Sequence, residues 1–182
     1  MNDFSQKRWK KNRESYILGH FVDAYKEIAG TSFIDIEECE RPDFTCKREN
    51  GEKLGIELVK ITRGKQDIFW DSVLKGLVYM DSENALNLLQ EHTIRKDNKR
   101  RETDWTLSDS TLLLIELVDI PLAEIYRSLT KKDIPDLLIN GFLEIWIIDT
   151  TGMEAFNNVE IFCVKPEKFH GYYSRGIQKP YA

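Results

Sequence analysis

Cys39-Glu40-Arg41-Pro42-Asp43-Phe44-Thr45-Cys46-Lys47-Arg48-Glu49-Asn50-Gly51-Glu52-Lys53-Leu54-Gly55-Ile56-Glu57-Leu58-Val59-Lys60-Ile61-Thr62 is the stretch on which the reading of this chain turns. It reads as two strands, 43–48 and 53–62, joined by a reversal at 49–52, because Asn-Gly between strand-like runs tolerates the positive φ that a tight hairpin needs. Each strand carries one acid where an acid is costly. Asp43 stands between Pro42 and Phe44, and Glu57 lies within Gly55-Ile56-Glu57-Leu58-Val59. A carboxylate in a half-buried strand needs a partner, and one shared cation could serve both.

Working outward, residues 6–29 read as a helix. Ile17, Phe21, Ala24, Tyr25 and Ile28 recur at helical spacing, and Gly30 follows as a stop. Glu14 lies in line with the outer end of that inward stripe, and His20 on it reads as a core residue. A strand at 32–39, with Phe33 or Ile34 and Ile36 as its apolar side, completes a three-strand meander with the hairpin. Glu38 and Glu40, close in sequence to Asp43, read as solvated strand-end acids or as outer neighbours of the acid pair. The segment 63–82, with Ile68, Phe69 and Trp70, is a loop followed by a short helix or an excursion whose aromatics belong to the core or stack on bases. A second helix runs over 82–101. Its inward stripe of Ala85, Leu88, Leu89 and His92 extends by helical spacing to Lys96 and then Lys99, so a lysine falls on the face turned to the sheet.

The run 111–118 is apolar enough for a strand covered on both faces, apart from Glu116, for which a strand edge or a salt bridge accounts. Asp119 and Pro121 open a helix, a further short helix covers 133–140, and strands at 142–149 and 159–164 pair as a hairpin. The aromatic tail from Gly171 lies on the domain. The expected class is α/β: a central mixed sheet flanked by helices, in one domain over 1–182.

Composition bounds the function. The chain has 182 residues, 41% of them hydrophobic and 31% charged, an ordinary balance for one domain with its own core. No apolar run has the length of a membrane span and the start lacks a signal-peptide core, so the expectation is a cytoplasmic protein with no membrane partner. Cys39, Cys46 and Cys163 have no CxxC spacing and read as reduced thiols, not as a zinc site. The net charge of −5 does not advertise a nucleic-acid binder, yet Lys7, Arg8, Lys10, Lys11 and Arg13, and again Arg95, Lys96, Lys99, Arg100 and Arg101, form basic clusters. Local positive charge is what phosphates need, although either run alone also suits a solvated helix face. Nucleophile elbows, phosphate loops and dinucleotide fingerprints are missing from the sequence.

Pro42-Asp43, the hairpin and Gly55-Ile56-Glu57 together resemble the signature of the PD-(D/E)XK nuclease superfamily, closely over about 20 residues, and the order αβββαβ matches its restriction-endonuclease-like core. The resemblance implies that Asp43 and Glu57 hold Mg2+ or Mn2+, with the Leu58 carbonyl a further ligand, and that a lysine two residues past the Glu positions the attacking water. Here that place holds Val59. Lys60 is one residue on and alternates to the other face. Either a bulge turns Lys60 back, or Lys96 supplies the lysine from the second helix as in some members of the family, or the site is dead. Many members also place a first-helix Glu beside the metal, which here is Glu14. The implied function is metal-dependent phosphodiester hydrolysis of nucleic acid, DNA in preference to RNA, with a homodimer if two strands are cut. The alternative is a nuclease-like fold without catalysis that serves as a binding module.

Overall fold

A computed structural model describes residues 3–62, 82–129, 141–153 and 158–176. The readings made above for 63–81 and for the short helix at 133–140 lie outside the described residues. Helix α1, Asp3–Ala29, buries Ile17, Leu18, Phe21, Ala24 and Tyr25, a stripe that recurs every three to four residues. It ends where Gly30, at φ 67°, turns the chain and donates its N–H to the Lys26 carbonyl at 3.1 Å. Three strands follow: β1 Phe33–Glu38, β2 Phe44–Arg48 and β3 Lys53–Ile61. Between β2 and β3, Gly51 at φ 88° donates to the Arg48 carbonyl at 2.8 Å, and the Asn50 side chain accepts the Glu52 N–H at 3.0 Å. This is the tight reversal that Asn-Gly foretells.

Helix α2, Ser82–Glu102, leads to β4, Thr111–Leu117; helix α3, Leu122–Leu129, precedes β5, Glu144–Asp149; and β6, Asn158–Lys165, and β7, Gly171–Gly176, close the described chain. The seven described strands form one mixed sheet in sequential order. Strands β1, β2 and β3 are antiparallel neighbours, β3, β4 and β5 are parallel, and β5, β6 and β7 are antiparallel again. A parallel pair requires a crossover, and β4, parallel to both its neighbours, is buried along its whole length. The protein is therefore α/β, as its sequence indicates, and its described elements begin in the order αβββαβ.

The two faces of the sheet carry separate cores. Leu54, Ile56, Leu58, Leu112, Leu114, Trp146 and Ile148 pack with the α1 stripe on one side. Val59, Ile61, Leu113, Ile115, Leu117, Ile145 and Ile147 pack on the other with Ala85 and Leu89 of α2 and Leu122, Ile125 and Leu129 of α3. The strict alternation along β3 and β4 assigns each residue to a layer. Both crossovers fall on one face because the strand order advances in one direction and parallel crossovers share one hand.

The expected apolar side of β1 needs correcting. Phe33 is buried, but Ile34 and Ile36 are exposed. The register slips between Ile34 and Glu37, and Asp35 adopts φ 52°. This β-bulge turns the outer half of the edge strand away from the core. No described helix is long and apolar enough to cross a membrane.

Candidate active site

The acid pair is built by strand register. Phe44 lies opposite Ile56, so the residue before β2, Asp43, comes level with Glu57. The two are interlocked: the Asp43 N–H donates to Glu57 Oε2 at 3.2 Å, and Asp43 Oδ2 accepts the Leu58 N–H at 2.9 Å. A residue in a strand projects its N–H and C=O from the same edge, so the Leu58 carbonyl also faces the side on which Asp43 stands. Gly55 allows this close approach, since a Cβ there would lie 2.6 Å from the Pro42 side chain.

Glu57 shares the face of Val59 and Ile61, the face that α2 covers, and is 4% exposed. From α2, Lys96 reaches down and its Nζ bonds Glu57 Oε1. The stripe of α2 continues past Ala85 and Leu89 through buried Thr93, Asp97 and Arg100, and Lys96 sits on its flank with its side chain 18% exposed. His92 and Lys99, expected on the same stripe, lie further out: His92 is half-buried and Lys99 is exposed. Burial lifts the Glu57 carboxyl above its ordinary value and the charge of Asp43 adds to the rise, against the opposing pull of Lys96 and of the Asp43 N–H.

The outer end of α1 joins the same cluster. Glu14 is raised by burial and then by repulsion from Asp43, with Lys10 and Lys11 opposing. Lys10 is held to Glu14 at 3.3 Å. Burial alone would lower the Lys10 ammonium, but the attraction of Glu14, Asp43 and Glu57 outweighs it and the group is raised. Lys10 escapes a search for acids, although its place four residues before Glu14 is a helical ion-pair spacing that marks it.

Lys60 is not brought to the pair. It pairs in register with Glu116 on the α1 face of the sheet, where burial and then Arg13 depress its ammonium. Glu116 is held there by Arg13 at 2.6 Å and by the Thr150 hydroxyl at 3.2 Å, so the acid that interrupts β4 is explained by an ion pair. The bulge that could have turned Lys60 back is absent from β3, which stays in register with β4 from Gly55 to Ile61. Glu38 bonds Lys11 and Ser15, Glu40 is exposed, and His20 packs edge-on against Tyr16.

The donor set is oxygen alone: two carboxylates, a carbonyl facing the same edge and a third carboxylate electrostatically coupled to them. Among the described residues, no three His, Cys, Asp or Glu side chains converge closely enough to hold a metal by themselves. Two carboxylates with water completing the shell are nevertheless what Mg2+ ordinarily takes. Comparison of the chain with protein-family models, with curated proteins and with solved structures finds no match.

Proposed function

We propose that this protein is a divalent-metal-dependent nuclease of the PD-(D/E)XK type whose active-site lysine has moved from β3 to α2. The observation that carries the reading is the interlocked pair of Asp43 and Glu57 with Lys96 bonded to Glu57 from across the layer. Two acids in neighbouring strands, one of them buried, call for a cation, and a basic group on the same carboxylate stands where a water could be oriented. Asp43, Glu57 and the Leu58 carbonyl would hold Mg2+ or Mn2+, with Glu14 beside them. The ion would supply positive charge against the phosphate being attacked. Lys96 would donate a hydrogen bond to the attacking water and hold it in line with the phosphorus, while Lys10 would donate to a phosphate oxygen.

A second reading has one observation in its favour. The bond from Lys96 already compensates Glu57 without any metal. On that reading the fold is a binding module that kept the charges and lost the chemistry.

Isothermal titration of Mn2+ into wild type, Asp43→Ala and Glu57→Ala, with plasmid and single-stranded substrates incubated alongside, separates the two. Binding and cleavage that both substitutions abolish is the expected result. Wild-type protein that takes up no Mn2+ at millimolar concentration would sink the nuclease reading and leave the binding module.

A further inference from the structure

One flank of α1 differs from the rest of the described surface. Trp9 is 62% exposed and Tyr16 57% exposed, the largest exposures among the described large hydrophobic side chains. Seven residues separate them, two helical turns, so both rings project from one stripe about 10 Å apart along the axis. Arg13 lies between them on that stripe, with its guanidinium 6.0 Å from the Trp9 ring. The His20 and Tyr16 rings meet at right angles with their centroids 4.6 Å apart. From residue 8 to residue 16 the helix carries Arg8, Lys10, Lys11 and Arg13 against the single acid Glu14. Lys10, one position round from Trp9, is held to Glu14 at 3.3 Å and is also attracted by Asp43 and Glu57.

We infer that this stripe is a stacking platform for single-stranded nucleic acid, with bases on Trp9 and Tyr16 and the phosphates led past Lys10 to the acid pair. The inference rests on the nuclease reading for its choice of ligand and narrows that ligand to an unpaired strand. Arg8, Lys10 and Lys11 stay exposed, the latter two while paired with Glu14 and Glu38, and so remain open to the phosphates of a polyanion. The rings then select between its forms, because an unpaired base offers its face to an aromatic ring, whereas a duplex hides every face in its own stack. Trp9 and Tyr16 are two planar groups in file suited to such faces, while Arg13 is held by Glu116 at 2.6 Å.

The test is fluorescence anisotropy in EDTA with labelled oligo-dT and oligo-U of about 15 nucleotides, against a duplex of matching sequence. Wild type should bind either single strand more tightly than the duplex. Trp9→Ala and Tyr16→Ala should each weaken single-strand binding about tenfold, while Trp9→Phe retains most of it. Equal affinity for strand and duplex, or wild-type binding by the Trp9→Ala/Tyr16→Ala double variant, overturns the inference. Cleavage with Mn2+ is scored separately. Strand binding lost with the rings, in a protein that never cleaves, upholds the platform and sinks the nuclease; metal-dependent cleavage with strand binding indifferent to the rings does the reverse.

Discussion

Lys96 and Glu57 are 39 residues apart in the chain and meet in a bond between the helix layer and the middle of the sheet. The meeting depends on parity. A lysine at position 59 would reach the same face along the strand; with Val59 there, the next lysine, Lys60, is carried by alternation to the α1 face and into the company of Arg13 and Glu116.

A direct comparison of lysines follows. If Lys96 orients the attacking water, Lys96→Met should lower metal-dependent cleavage by at least about a hundredfold, the usual contribution of a positioned proton-transfer group. Lys60→Met should leave the rate near that of wild type. The measurement is initial cleavage rate at saturating Mn2+, and loss of activity in the Lys60 variant alone would reverse the assignment.

The pH dependence of stability has a definite sign. Glu57 is raised above its ordinary 4.5, mainly by burial and next by Asp43. Between that value and its folded one the native state holds a proton that the unfolded chain has released, so metal-free protein loses stability as pH rises from about 4.5 until folded Glu57 titrates. Glu14 acts in the same direction. Glu57→Gln should flatten the fall in Tm over this range, and Lys96→Met, which removes an opposing charge, should extend it to higher pH. Thermal melts in EDTA across pH 4 to 8 read both; a Tm that climbs through this window in wild type and is flattened by Glu57→Gln would refute the assignment.

Much of this site could be read before the fold was in hand. Asn50-Gly51 announces the hairpin, the hairpin sets Asp43 level with Glu57, and adding helical steps to Ala85 and Leu89 arrives at Lys96. Each of these relations is local, fixed by the period of a strand or a helix. What escaped reading is non-local. The bulge at Asp35 puts a non-glycine residue at positive φ with no marker of its own. Glu144 looks like an ordinary strand end, yet its partners Tyr25 and Arg48 lie 119 and 96 residues away. Sequence spacing cannot foretell such pairs, because the packing of α1 on the sheet brings Tyr25 to Glu144, and the folding of the sheet brings Arg48 of β2 to it.

That buried network gives a prediction about stability. Glu144 accepts bonds from the Trp146 indole at 2.7 Å and the Tyr25 hydroxyl at 3.2 Å and pairs with Arg48, all on the α1 side of the sheet. Removing the acid takes the acceptor from Tyr25 and Trp146 and leaves the Arg48 guanidinium, 17% exposed, with Glu52 as its remaining ion-pair partner at 2.7 Å. Glu144→Leu should therefore cost about 3 kcal/mol in urea unfolding, and adding Arg48→Met should recover much of that loss. Additive losses in the double variant would mean that the two residues do not act as a pair.

The last prediction concerns how α3 is anchored to the sheet. Asp119 and Pro121 mark the start of this helix in sequence, but the carboxylate that accepts the Leu122 N–H is that of Asp149, at the end of β5, with Oδ2 at 2.6 Å. Its other oxygen accepts the Thr151 N–H at 2.7 Å. One buried side chain thus ties the first turn of a helix to the strand beyond it, 27 residues on. Burial raises the Asp149 carboxyl against these bonds, so the group holds its place through geometry more than through charge. Asp149→Ala leaves both N–H groups without that acceptor and should destabilise the fold by about 2–3 kcal/mol, with Asp149→Asn, which keeps one acceptor oxygen, falling between. Urea midpoints at constant m-value measure the loss. Hydrogen exchange localises it: protection should fall first at the N-terminus of α3, and uniform loss across the sheet would show that Asp149 supports the strand and not the helix.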